Sequence, residues 1–553
     1  MSDTLEKIEN EILDKEFLKY DISYWNHNIA IGHLLKNYGN IVRSLINDAP
    51  IDTVSEELAN SVLLLILKGL GRCCKWILSQ DGDVIPKLSF EEKDKEAFKF
   101  LMWGQDYEVL ASLHTAYWKN VIHCKTDFES KTIEFKLNGG QGTLEFLMYQ
   151  HQIHGEIIKS NSLLNKLRLQ KTRLYNQIIE KKSIEDHYDN FDWEIVGNSK
   201  LFDLERNYYK LNILPEIDEF FDVVNYTIND YKIFFSILKI NCEFISYIED
   251  QLDLKYGEEN RFGSIVIVLS KNDFINFMHK ISKLEKYKVR KILEDILLNT
   301  AHFHTGLEVS PIIISNDEIY FSSRLVSAID PERILVNILT KVKAQYKIYD
   351  KLITLIEKVQ IQKITKELKK VEALVFVESR FYTNEQIVTP DFVLIDSANK
   401  ILIVMDYKHN LAPLNPPEVL NKIKEFGLKE KSVLNQFRKY KIFFMSGKEV
   451  KVENKVLNIV EFKVYFILLN NSPLVIPLHL DKEVIVFHLA MLQSILRKVN
   501  SISLPNLLSE IKNNIKVIKE KFETSIEKRE VNVGEWKYII PSVAQDLKIT
   551  HNN

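Results

Sequence analysis

Apolar residues recur at three-four spacing through most of residues 3–118, most clearly in 29–46 and 58–78, which predicts a helical N-terminal region. Around 132–145 the period changes to alternation about Asn138-Gly139-Gly140-Gln141-Gly142, the pattern of a hairpin with a glycine turn. Helical spacing returns over 149–182 and 213–254. Residues 265–269 then read as a strand, and 311–322 as a strand pair around Asn316-Asp317. Residues 331–370 read as one long helix, its acids and lysines interspersed as on a solvated face. Beyond it the pattern gives a strand over 373–382 and a strand pair, 391–395 and 401–405, joined by the turn Ser397-Ala398-Asn399-Lys400. A strand at 462–469, a strand-to-helix segment at 482–499 and a helical segment at 504–530 follow. The sequence thus predicts an α/β protein, α+β overall. A helical domain (1–130) and a mixed, mostly helical region (131–330) precede a domain of mixed β-sheet flanked by helices (331–553).

With 553 residues the chain exceeds what one hydrophobic core usually organises, so two or three domains are expected. Net charge is −3, so any attraction to a polyanion must be local. Local bias is present in Lys422, Lys424, Lys429, Lys431, Arg438, Lys439, Lys441, Lys448 and Lys451, which are either a phosphate-neutralising surface or a solvated helix face. Cys73, Cys74, Cys124 and Cys242 lack metal-ligand spacing and suggest a reducing compartment without a disulfide framework. The first 19 residues lack the apolar core of a signal peptide, and the most hydrophobic run, 61–78, is interrupted by Lys68, Arg72 and Lys75. A cytoplasmic protein without a membrane span is expected. His151, His154 and Glu156 are close enough in sequence to ligate a metal on one helix, but no further ligand accompanies them.

The chemistry is concentrated later, in Thr389-Pro390-Asp391-Phe392 and Met405-Asp406-Tyr407-Lys408-His409. Strand side chains alternate with period two, so Asp406 and Lys408 share a face and Tyr407 takes the other. Asp391, at the start of the neighbouring strand, can come beside Asp406. Two carboxylates are hard oxygen ligands for Mg²⁺ or Mn²⁺, and an ammonium beside them can orient water or offset developing charge during phosphodiester hydrolysis.

This pattern resembles the PD-(D/E)xK nuclease superfamily, with Pro390-Asp391 as its PD and Asp406-Tyr407-Lys408 as its DxK. Downstream, Gln436 and Tyr440 stand four apart on a predicted helix, and this Gln-x-x-x-Tyr resembles the third motif of RecB-like nucleases. The resemblance covers the chain from about residue 371 onward and implies a restriction-endonuclease-like core. It assigns Asp391, Asp406, Lys408, Gln436 and Tyr440 to the catalytic site, with Asp391 and Asp406 as metal ligands. The family usually adds one more acid or a histidine from a helix before the PD strand. Glu367, Glu372 and Glu378 are the candidates here, with Glu372 preferred as the third metal ligand.

The resemblance implies a Mg²⁺- or Mn²⁺-dependent deoxyribonuclease, with DNA as its partner and a role in prokaryotic defence against foreign DNA. The sequence contains no Gly-x-x-x-x-Gly-Lys-Ser/Thr, so any ATPase or GTPase motor, like any sensor protein, would be a separate partner. A homodimer would explain cuts on opposite strands. Two alternatives stay open: a non-catalytic or motor-dependent nucleic-acid-binding subunit, and an RNA-directed nuclease.

Overall fold

The computed structural model describes residues 2–47, 53–118, 122–137, 162–181, 183–189, 199–208, 210–256, 265–298, 306–411, 418, 425, 432–446, 449–453, 455–471, 484–520 and 522–547. Helix and sheet are mixed. The chain packs as two compact units: Met1–Ala111, Leu163–Thr354 and Asn532–Glu535 form the first, and Ser112–Ser162, Leu355–Val531 and Trp536–Asn553 the second. The sequence boundaries at 130 and 330 follow changes of local pattern, whereas the units are assembled from segments distant along the chain. Trp536–Leu547 pairs in parallel with Thr132–Leu137, Tyr538 opposite Ile133, and so joins a C-terminal strand to an early one.

In the first unit, helices His27–Asn47 and Thr53–Leu78 stand where the three-four spacing puts them, with Cys73 and Cys74 buried in the second. Among the described residues no helix is long and apolar enough to cross a membrane. Helix α1 (Ile228–Tyr256) is buried on most of its circumference through Tyr231, Phe234, Phe235, Leu238 and Phe244. It is followed by β1 (Val266–Ser270), α2 (Lys271–Ser282), α3 (Lys286–Ile296), β2 (Ile313–Ser315) and β3 (Glu318–Ser322). The three strands form an antiparallel sheet in the order β1-β3-β2.

The second unit is built on a five-stranded sheet, β4 (Leu374–Val377), β5 (Phe392–Asp396), β6 (Ile401–Lys408), β7 (Lys463–Asn470) and β8 (Val484–His488), in that spatial order. The first three run antiparallel, and β7 and β8 join parallel to β6. Asp396 sets the β5–β6 turn, its carboxylate accepting the amides of Ala398 and Asn399 at 3.0 Å, while Lys400 takes a positive φ. Both faces of the sheet are covered, which is why β5 and β6 read as continuous apolar runs. On one face Phe392, Leu394, Ile403 and Met405 pack with α4 (Tyr346–Leu368), α6 (Leu489–Arg497) and α7 (Leu504–Glu520). On the other, Val393, Ile395, Leu402, Val404 and Leu468 pack with Phe437, Tyr440 and Phe444 of α5 (Val433–Phe444).

Three local expectations are corrected. The predicted helix over 331–370 is two helices, Pro331–Asn337 and α4, separated by a π-turn and a reversal at Ala344, φ 53°. The predicted strand over 373–382 breaks at Glu378, φ 45°, which sends Phe381–Tyr382 into a different sheet from β4. Helix α7 ends at Glu520, and Phe522–Val533 is a strand. The glycine run 138–142 and residues His151, His154, Glu156, His302 and His304 lie outside the described residues.

Candidate active site

Phe392 lies opposite Met405 in the antiparallel β5–β6 pair, so the residues flanking that pair, Asp391 and Asp406, come face to face where the strands begin to part. Their side chains replace the next rung of the ladder. The amide of Asp391 donates to Asp406 Oδ1 at 3.0 Å, and the amide of Tyr407 donates to Asp391 Oδ2 at 2.7 Å. Each carboxylate is thereby fixed by the other strand's backbone. Asp406 is wholly buried and Asp391 half-buried, and Asp391 Oδ1 makes no hydrogen bond among the described residues. The period-two alternation that buries Leu402 and Val404 against α5 gives Asp406 and Lys408 the same face, with Tyr407 in the opposite core.

Helix α5 begins with Ser432 as N-cap, its hydroxyl accepting the Asn435 amide at 3.3 Å. The four-residue spacing then brings Gln436 over Tyr440. Gln436 Nε2 donates to the Tyr440 hydroxyl at 2.7 Å, and that hydroxyl donates to the Asp406 carboxylate, 3.3 Å from Oδ1 and 3.1 Å from Oδ2. Gln436 therefore acts on the acids through Tyr440.

The electrostatics follow from burying two acids together. Burial, and then the charge of Asp406, push the Asp391 carboxyl up to about 7; the Tyr407 amide and Lys408 pull the other way. Asp406 is also raised by burial, opposed first by Lys408 and then by the Asp391 amide and Tyr440. Tyr440 is raised by burial and by the Asp406 charge, which keeps its hydroxyl a donor.

A third acid reaches this site, and the sequence reading did not select it. Glu357 on α4 raises both aspartates through its charge, and its Oε1 accepts the His409 amide at 3.1 Å just past the end of β6. Glu372, expected as the third ligand, is exposed and hydrogen-bonded by the Ser501 hydroxyl. The short strand Val371–Glu372 is drawn to Ile502–Ser503 in a separate two-stranded sheet. Glu367 pairs with Arg497 at 3.4 Å, and Glu378 occupies the kink after β4. The signal for Glu357 was its spacing from Ile361, Ile364 and Leu368, a charge on the core-facing stripe of an amphipathic helix. Behind the site, the Tyr407 hydroxyl meets His409 Nδ1 at 3.0 Å, and the Asn410 amide donates to Asn471 Oδ1 at 2.6 Å.

Among the described residues no three acid, histidine or cysteine side chains converge closely enough to enclose a metal by themselves. Two facing carboxylates, with Asp391 raised by burial and then by the Asp406 charge and keeping an unbonded oxygen, still fit a hard divalent cation. Mg²⁺ is usually held by one or two carboxylates, with water and phosphate oxygens completing its shell. Comparison with known proteins found no matching family model, no matching curated protein and no matching solved structure.

Proposed function

We propose that this chain is a nuclease that hydrolyses DNA phosphodiester bonds with Mg²⁺ or Mn²⁺ held by Asp391 and Asp406. The observation that carries the reading is the buried carboxylate pair at the parting of β5 and β6, with the Lys408 charge acting on both acids. The order α4, β4, β5, β6, α5, β7 and the chain from Gln436 through Tyr440 to Asp406 support a restriction-endonuclease-like core of the RecB-like kind. When bound, the cation polarises the phosphoryl group and lowers the pKa of water. The protein's own groups do the rest. Lys408 orients the attacking water and offsets charge that develops on the phosphoryl oxygens. Tyr440, held by Gln436, fixes the Asp406 carboxylate, and Glu357 adds negative charge from the opposite helix layer.

Incubation with circular and linear DNA, single- and double-stranded, with Mg²⁺ or Mn²⁺ against EDTA, tests the reading. Metal-dependent cleavage is expected, and Lys408→Ala is expected to lower its rate by about 10²-fold, the usual loss for one preorganised donor. Absence of cleavage under all conditions would leave a binding subunit, and cleavage confined to RNA would change the substrate. The third acid has its own prediction. Glu357→Gln lowers the rate by about 10–100-fold, the range for a group supporting a metal site, while Glu372→Gln leaves it unchanged in the same assay.

A further inference from the structure

We infer that the first unit carries a second nucleic-acid site, a helix-turn-helix whose basic face on α3 docks on the backbone of double-stranded DNA. Helices α2 and α3 are joined by three residues, Lys283, Leu284 and Glu285, the turn length of that motif. Lys283 has φ 61° and its amide caps α2 on His279 O at 3.0 Å, while His279 Nδ1 meets Leu284 O at 2.6 Å and Leu284 is buried. The turn is thus fixed from both sides. The element order α1, β1, α2, α3, β2, β3 and the sheet order β1-β3-β2 make it a helix-turn-helix of the winged type. Its core is continuous, for Phe274 of α2 packs on Phe234 of α1 and on Phe321 of β3, with centroids 6.1 Å apart in both pairs.

Helix α3 turns Val289, Ile292, Leu293 and Ile296 inward, leaving Lys286, Tyr287, Arg290 and Lys291 exposed. Residues 280–291 contain six lysines and arginines against one acid, in a chain whose net charge is −3. Lys288 is paired with Asp230 and Lys291 with Glu294, both at 3.0 Å, whereas Lys283, Lys286 and Arg290 have no acidic partner among the described residues. The charge order also runs against the helix. Lys286 and Lys288 stand in the first turn behind the acidic N-cap Glu285, while Glu294 and Asp295 stand in the last turn without a basic residue. This opposes the macrodipole, and a polyanion across the first turns would offset it. In a helix-turn-helix the start of the second helix enters the major groove, which assigns Tyr287 and Arg290 to the base edges and Lys283 and Lys286 to phosphates. The two-residue β2–β3 hairpin, Asn316-Asp317, is too short to add a second reading element. This assignment does not depend on the chemistry proposed for Asp391 and Asp406.

The test is binding of fluorescent duplex DNA by the full chain in EDTA, where cleavage cannot interfere, between about 50 and 200 mM salt. Wild type is expected to bind the duplex across this range. The double variant Lys286→Gln/Arg290→Gln is expected to bind about tenfold or more weakly, with a salt slope smaller by roughly 1, because the lost Lys286 phosphate contact removes close to one released counterion while Arg290 carries base contacts. The swap Lys286→Arg/Arg290→Lys, with the same charge, is expected to retain the slope. Wild-type affinity and slope in the double Gln variant would overturn the proposal, as would tighter binding of RNA than of duplex DNA, or no binding by wild type. Failure of cleavage in Mg²⁺ with this binding intact would count only against the nuclease reading.

Discussion

An Asp406→Asn protein is expected to fold and to lose cleavage by about 10³-fold, the upper range for removing one preorganised charged group from a reacting centre. Asparagine preserves the shape of a wholly buried side chain and keeps one oxygen for the Asp391 amide. What it removes is the negative charge that a cation needs. Asp406→Ala is a poorer test, because it strands the Asp391 amide and the Tyr440 hydroxyl inside the protein. Each buried group left unpaired costs about 1–3 kcal/mol, so lost activity would be confounded with lost structure. Cleavage rate at saturating Mg²⁺, read beside the thermal midpoint of the same Asn variant, separates the two effects. Wild-type cleavage by Asp406→Asn would remove Asp406 from the chemistry.

Much of the candidate site was legible because its geometry is local. Strand periodicity alone assigns Asp406 and Lys408 to one face and Tyr407 to the other. The four-residue spacing of Gln436 and Tyr440 gives their hydrogen bond, and the short turn at Asp396 brings Asp391 to Asp406. Glu357 was not legible in the same way. It reaches the site across the sheet, through the backbone of His409, and no local rule connects residues 357 and 409. The missed boundaries share another cause. Lys283, Ala344 and Glu378 all turn the chain with positive φ where glycine or asparagine is the usual signal. A left-handed conformation costs a side-chain-bearing residue roughly 1–2 kcal/mol, so surrounding packing must hold these turns, and packing is invisible to a periodicity rule. The strand Phe522–Val533 was missed because its charged run, Glu527-Lys528-Arg529-Glu530, reads as the polar face of a continuing helix.

The carboxylate pair should also make the protein's stability depend on pH and on divalent cations in a way that Asp391→Asn abolishes. Asp391 titrates near 7 in the folded chain against an ordinary 3.8, so between these values the native state holds a proton that the unfolded state has released. Stability contributed by this group is therefore full below about 3.8, falls as pH rises through the window, and is lost above about 7. In EDTA at pH 8, Asp391→Asn is expected to melt above wild type, with a difference of the order of a few kcal/mol that vanishes near pH 4. Comparing the two proteins at each pH cancels the titration of the acids that do not interact with Asp391. Adding Mg²⁺ at pH 8 should reverse the order. Wild type then gains binding free energy, about 2.7 kcal/mol at a hundredfold excess over Kd, while the variant has lost a ligand and gains little. Parallel melting curves for the two proteins across pH, unmoved by Mg²⁺, would mean that the two acids are not held as a strained, cation-seeking pair. Burial, and then the charge of Asp406, lower stability without metal, and a bound cation would relieve both, so the two effects are expected together.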